Sequence, residues 1–312
     1  MKNLYETYKA WIMLGVLAII WGSSFILIKK GLVVFSSEEV AALRIASAGL
    51  FMAPMAFNRL RGLQKKDWLW LVVSGFTGSL IPAFLFTTAQ TQLSSAITGV
   101  LNTTTPLFVL IVGVIVFKQA VVWRQTFGLV LGFLGSFVLI LSGSGGLGDV
   151  NLYALLVILA TLCYGSNLNL IKFRLSGLKP VTITSLSLGV FTLPLLVYLL
   201  GFSDLIFHLK NTAGASIALS YILLLGVVGT ALALILFNKL VQLSSPIFTS
   251  SVTYLIPLVA MGWGFLDGED LRLIHLLGMA IILSGVYITN RKKTKSQTIA
   301  TPIEVQKTAL DS

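Results

Sequence analysis

Polar and aromatic side chains recur at regular spacing inside long apolar runs of this chain. Trp21 and Ser24 share one helical stripe with Ile28, and Tyr164 and Asn167 share another with Ile171. Asn102 opens the run Thr103, Thr104, Thr105, Pro106, and Ser250, Ser251, Thr253 and Tyr254 precede Pro257. Such groups hold and orient a solute, because aromatic faces pack on it while amides and hydroxyls hydrogen-bond it. They are poorly suited to making or breaking bonds. A membrane-embedded lipid-modifying enzyme, the competing reading, needs a His beside an acid or a metal cluster. His208 has only Asp204 four residues before it, in a loop, and the lone Cys163 lies inside an apolar run. The pattern predicts a binding cavity with no catalytic set, no metal and no cofactor.

Arg44 is the one charge well inside an apolar stretch. A charge there costs about 2.5 to 3.5 kcal/mol on the insertion scale, so it faces a wet cavity or a partner. Two placements are open: a cavity position that favours anionic or zwitterionic solutes, or a snorkelling Arg paired with Glu38 or Glu39. The prolines have a different use. Each removes a backbone donor and frees carbonyls that hydroxyls or water must satisfy, so Pro106 and Pro257 predict kinked, gating helices. Hydroxyls bonding their own helix compete with that solute role.

The elements that position these residues follow from composition. Of 312 residues, 56% are apolar and 11% are charged, against about 25% charged in soluble chains. A bilayer is the solvent to reason about. A helix crosses it with roughly 20 apolar residues. Ten such stretches begin near Trp11, Ser37, Trp68, Ser95, Gln125, Asn151, Val181, Ser216, Pro246 and Leu271. The first continues to Leu27 and ends on Lys29 and Lys30 without a small-x-small cleavage site, so it reads as a retained span.

The net charge of +11 forms no single patch that would suit nucleic acid, because the basic residues punctuate loops. With the N-terminus inside, seventeen of the 22 Lys and Arg residues fall on the cytoplasmic side and four outside. Ten spans with both termini cytoplasmic is the expected topology. Residues 1–10 form a short cytoplasmic N-terminus, and 291–312 a disordered cytoplasmic tail. All carboxylates fall outside the predicted membrane core, which disfavours an intramembrane proton relay.

The second half repeats the first in order. Trp21-Gly22-Ser23 returns as Tyr164-Gly165-Ser166, Lys29 as Lys172, and Pro54 as Pro194. Gly75, Gly78 and Phe86 return as Gly226, Gly229 and Phe237, and Gln92-Leu93 as Gln242-Leu243. Pro106 matches Pro257, while Gly128 and Gly135 match Gly278 and Gly285. Five spans per unit is an odd number, so residues 11–142 and 151–290 must lie upside down to each other. The fold expected is all-α and polytopic, with ten transmembrane helices as two inverted five-helix repeats. Trp21 and Tyr164 each lie about ten residues into their spans, nearer the midplane than an interfacial aromatic belt.

Over residues 11 to 290 the chain resembles the drug/metabolite transporter superfamily, specifically its EamA group of ten-helix permeases. The features that carry the resemblance are Trp21-Gly-Ser-Ser-Phe25, Arg44, the Pro106 and Pro257 helices and the closing Gly-x6-Gly spans. Gly268-Glu269 keeps that group's turn after the ninth span, whereas Phe117-Lys118-Gln119 departs from it after the fourth. The resemblance implies export or exchange of small metabolites such as amino acids, or of drugs, across a bacterial cytoplasmic membrane. The solute would sit between the first, third, fourth, sixth, eighth and ninth helices. Taken together, the expectation is a carrier working by alternating access, with its oligomeric state open and a monomer compatible with it. Its partners are a small solute and the lipid bilayer, and its site is lined by Trp21, Ser24, Arg44, Asn102, Tyr164, Asn167 and Tyr254.

Overall fold

The computed structural model describes residues 2–60, 63–93, 95–120, 122–142, 152–266 and 273–290. The tail 291–312 and the Gly268-Glu269 turn lie outside the described residues. In a medium without water, each apolar run satisfies its backbone within its own helix. The described residues contain ten helical rods and no strand. They are α1 (Tyr8–Gly31), α2 (Ser37–Phe57), α3 (Lys65–Ala89) and α4 (Ile97–Ile115), then α5 (Trp123–Ser142) and α6 (Ala154–Arg174). The others are α7 (Pro180–Gly201), α8 (Ala215–Leu243), α9 (Pro246–Ser250 continued by Val252–Leu266) and α10 (Leu273–Asn290). Among the described residues, seven rods are long and apolar enough to cross a membrane, and α9 and α10 hold shorter apolar stretches. Ile19, Leu193 and Ile217 stand exposed on the outside, as lipid contact requires.

The packing repeats with the sequence. Rod α2 lies along α7 and α5 along α10, so equivalent rods pair with each other. Rod α1 packs on α8 and α9, and α6 packs in the same way on α3 and α4. Each half thus lends its first helix to the other half. The α5–α10 contact is close because glycines meet: a Cβ on Gly285 would lie 2.7 Å from the Gly128 carbonyl oxygen, and one on Gly128 the same distance from that of Gly285. In α1, Gly22 packs on Val259, while Gly15 meets nothing within 4 Å.

Local interruptions shape the rods. Before Pro106 the chain tightens into a 3-10 turn over Asn102–Thr104. The Asn102 carbonyl, deprived of its donor by the proline, accepts from the Thr105 hydroxyl at 2.8 Å. Rod α9 breaks at Ser251, upstream of Pro257. The first interruption adjoins its proline, whereas Pro257 itself lies within the continuous helix Val252–Leu266. The repeat-matched segments Phe76–Leu80 of α3 and Val227–Leu232 of α8 wind as π-helix, which composition did not announce. An extra residue per turn leaves carbonyls open to other donors, a frequent property of binding sites.

Two ends of the fold carry polar contacts of their own. Rod α2 starts with a capping box, Ser36 and Glu39 satisfying each other's backbone N–H. Glu39 is 2% exposed and its Oε2 lies 3.8 Å from His208 Nε2, contributed by the short helix Leu205–Asn211. His208 therefore faces Glu39. After α4, Lys118 adopts φ 51° and the Gln119 N–H donates to the Gly113 carbonyl at 2.9 Å, closing the helix end. The Gln119 side chain donates to Asn169 Oδ1 of α6 at 2.6 Å.

Candidate substrate cavity

A cavity of about 90 Å³ lies where α1, α2, α3, α4, α6, α8 and α9 converge. Six of the seven residues expected to bind solute line it: Trp21, Ser24, Arg44, Asn102, Tyr164 and Asn167. The seventh does not. Tyr254 is fully buried, its hydroxyl donates to the Leu129 carbonyl of α5 at 2.8 Å, and its ring lies against Gly132. The polar run before Pro257 covers more than one helical face, and spacing alone does not say which side a phenol takes. Ser250 and Thr253 line the cavity from that run. Pro106 and Pro257 lie outside the lining.

The repeat is visible in the walls. From α1, the Trp21 ring meets Phe237 of α8 edge-on, with centroids 5.0 Å apart. From α6, Tyr164 stacks on Phe86 of α3 at 5.8 Å. The Trp21 Nε1–H donates to the carbonyl of Gly229, inside the π-helix of α8, at 2.9 Å. In α3, Gly78 leaves the space that Asn167 fills, and any Cβ there would collide with the Asn167 amide. Ser74 completes that contact by donating to Asn167 Oδ1 at 2.7 Å.

Arg44 takes the cavity position of the two that were open. Its Nε donates to Thr230 Oγ1 at 2.9 Å, and the Thr230 hydroxyl passes its own proton to the Leu225 carbonyl. Glu39 is instead held by the helix cap and His208. Most hydroxyls near the prolines bond backward along their own helices: Thr103, Thr104, Thr105, Ser250, Ser251 and Thr253 each donate to the carbonyl three residues earlier. Phe86, Phe237, Ser79, Thr230 and the π-helix glycines Gly78 and Gly229 are among the further lining residues that were not expected there. The matched pairs Gly78/Gly229 and Phe86/Phe237 were the available signal.

The two ends of the cavity differ. Lys172, at the end of α6, donates to the carbonyls of Val241 (3.1 Å), Gln242 (3.4 Å) and Ser244 (2.6 Å) at the end of α8. The Gln242 side chain donates to the Leu178 carbonyl at 2.7 Å. Their repeat counterparts Lys29 and Gln92 are exposed and make no such bond among the described residues. At that end the buried Gln90 holds the Phe25 carbonyl and Ser95 instead, at 3.3 and 3.1 Å.

Comparison with known proteins agrees with this architecture. The EamA-like transporter family matches twice, at residues 9–141 and 151–291. Similar relatives include an uncharacterized transporter of Archaeoglobus fulgidus, 25% identical over 91% of this chain and 100% of the relative. Protein PecM of Dickeya dadantii is 27% identical over 88% of this chain and 93% of its own length. The uncharacterized inner membrane transporter YedA of Escherichia coli is 27% identical over 89% of each chain. A solved crystal structure shares the fold with a TM-score of 0.70 at 14% identity, covering 91% of this chain and 96% of its own. Two matched repeats, membrane-length apolar helices and a cavity built from both halves lead to one conclusion: this multi-pass membrane protein belongs to the EamA-like transporter family.

Proposed function

We propose that the chain is a secondary carrier, an exporter or exchanger of small metabolites such as amino acids, or of drugs. It works by alternating access in a bacterial cytoplasmic membrane, with both termini cytoplasmic. The observation that carries this reading is the exchange of first helices, α1 seated on α8 and α9 while α6 is seated on α3 and α4. Rocking one half against the other moves equivalent contacts on opposite sides of the same cavity, which is what a single site with two exits needs. The Lys172 contacts, made at one end and absent at the other, suit a state closed at that end.

In this reading the repeat units run over 11–142 and 151–290, with residues 1–10 and 291–312 in the cytoplasm. Trp21, Ser24, Arg44, Asn102, Tyr164 and Asn167 bind the solute, and Pro106 and Pro257 supply the bending points. Tyr254 leaves the binding set and supports α9 against α5. A monomer contains the whole cavity.

The test is reconstitution into liposomes and mass spectrometry of efflux from a mixed metabolite pool, with and without an imposed pH gradient. Saturable efflux of one solute class, lost in Asn102→Leu and Asn167→Leu proteins that still insert, is expected. Undiminished flux in both variants would remove the site assignment. Flux only under a pH gradient would assign coupling to an acid outside the core, with the buried Glu39 first in line.

A further inference from the structure

We infer that the cavity selects a compact organic carboxylate, its anionic head on Arg44 and its apolar body among Trp21, Phe86, Tyr164 and Phe237. This deepens the carrier reading and rests on it for the identity of the cavity as the solute site. The argument begins with which hydrogen-bonding capacity is already spent. Asn167 Oδ1 accepts from Ser74, and Asn102 Oδ1 accepts from Thr105 at 3.2 Å. Both Nδ2 groups remain without a partner among the described residues. Hydroxyls of Ser24, Thr105, Ser250 and Thr253 give their protons to backbone carbonyls of their own helices. The donors left over are the Arg44 guanidinium, two amide N–H2 groups and the hydroxyls of Ser79 and Tyr164, of which only the guanidinium carries charge. The strongest of these donors is the charged guanidinium, and the ligand that pairs best with it is an ionised carboxylate, which only accepts.

Charge points the same way. No Asp or Glu lines the cavity, and Arg44 has no carboxylate partner among the described residues. Tyr164, which lines the same cavity, is a phenol and not a carboxylate. A guanidinium in such a place is costly until an anion joins it. A cationic solute would meet repulsion. The repeat gives the charge no twin: counting from the Pro54/Pro194 match, the equivalent of Arg44 is the fully buried Thr184, which accepts from Asn238 Nδ2 at 2.9 Å. One cation balances one negative charge, so a phosphate dianion would keep an uncompensated charge. A cavity of about 90 Å³ holds about six to nine water-sized atoms, the size of a benzoate.

The experiment uses the purified full-length protein and equilibrium dialysis with labelled benzoate, benzamide and benzylamine, which share a ring and differ in head-group charge. Benzoate is expected to bind about tenfold or more tighter than benzamide, with benzylamine weakest. Arg44→Gln lowers benzoate to the benzamide level, and Arg44→Lys restores part of the difference. Ser24→Phe, which fills the cavity, removes all specific binding. Equal binding of benzoate and benzamide, abolished by Ser24→Phe, overturns the carboxylate inference and leaves the cavity as the solute site. A benzoate preference that survives Ser24→Phe overturns both. If Arg44→Gln does not fold, the benzoate to benzamide ratio of the unsubstituted protein decides alone, and no binding of benzoate overturns the inference.

Discussion

The indole N–H of Trp21 donates to the carbonyl of Gly229 at 2.9 Å, joining residues 208 positions apart across the two repeats. Gly229 lies within the π-helix Val227–Leu232 of α8, where an extra residue per turn loosens the backbone ladder. Trp21→Phe keeps a ring against Phe237 and loses a hydrogen bond worth about 1 kcal/mol. Trp21→Ala also removes a cavity wall, and it is expected to change selectivity. Comparing uptake of aromatic and small solutes checks this, and equal losses for both would argue against a wall role.

Gly78 leaves room for the Asn167 amide, so Gly78→Ala pushes that side chain from its bond with Ser74. Flux in proteoliposomes is expected to fall at least as far as in Ser74→Ala, with membrane insertion unchanged. Flux equal to that of the unsubstituted protein would mean that the amide is not held in place for solute.

Lys172 clamps the end of α8 through three carbonyls. Lys172→Met releases them, and the cavity should become more accessible from that end. The measurement is labelling of Ser250→Cys in a Cys163→Ala background by a membrane-impermeant thiol reagent added from the Lys172 side. Several-fold faster labelling is expected, and an unchanged rate would show that Lys172 only caps a helix.

Tyr254→Phe removes the bond to the Leu129 carbonyl and no part of the cavity. Stability should drop by about 0.5 to 1.5 kcal/mol, the net worth of one hydrogen bond to a carbonyl that keeps its helical partner. Solute selectivity should stay as it was. A changed selectivity with intact stability would return Tyr254 to the site.

Lys118 holds φ 51°, a conformation that costs an L-residue about 1 to 2 kcal/mol. Lys118→Gly is expected to raise the thermal midpoint in detergent, while Lys118→Val should lower it. The reverse order would show that the Lys118 side chain, and not its backbone, matters at this turn.

Much of the fold was legible because a membrane helix announces itself locally. Twenty apolar residues in a row need no tertiary information to be helical, so the second to ninth rods start within a few residues of their expected places, while the first helix begins earlier, at Lys2. The same holds for the turn before Pro106, whose missing N–H acts on the Asn102 carbonyl within one turn. Cavity membership was harder to read for Tyr254, since in a densely hydroxylated run every helical face looks plausible and only packing against α5 selects one.

By itself, the sequence determined the helical class, the number of rods, the internal repeat and about half of the polar residues that line the cavity. Each of these rests on composition, periodicity or self-similarity along the chain. Tertiary structure alone decided that Arg44 turns to Thr230 and Glu39 to His208, that two π-helices back the cavity, and that Lys172 is engaged while Lys29 is not. Those outcomes depend on which helix of the other half lies opposite, and contacts between residues one or two hundred positions apart leave no local pattern to read.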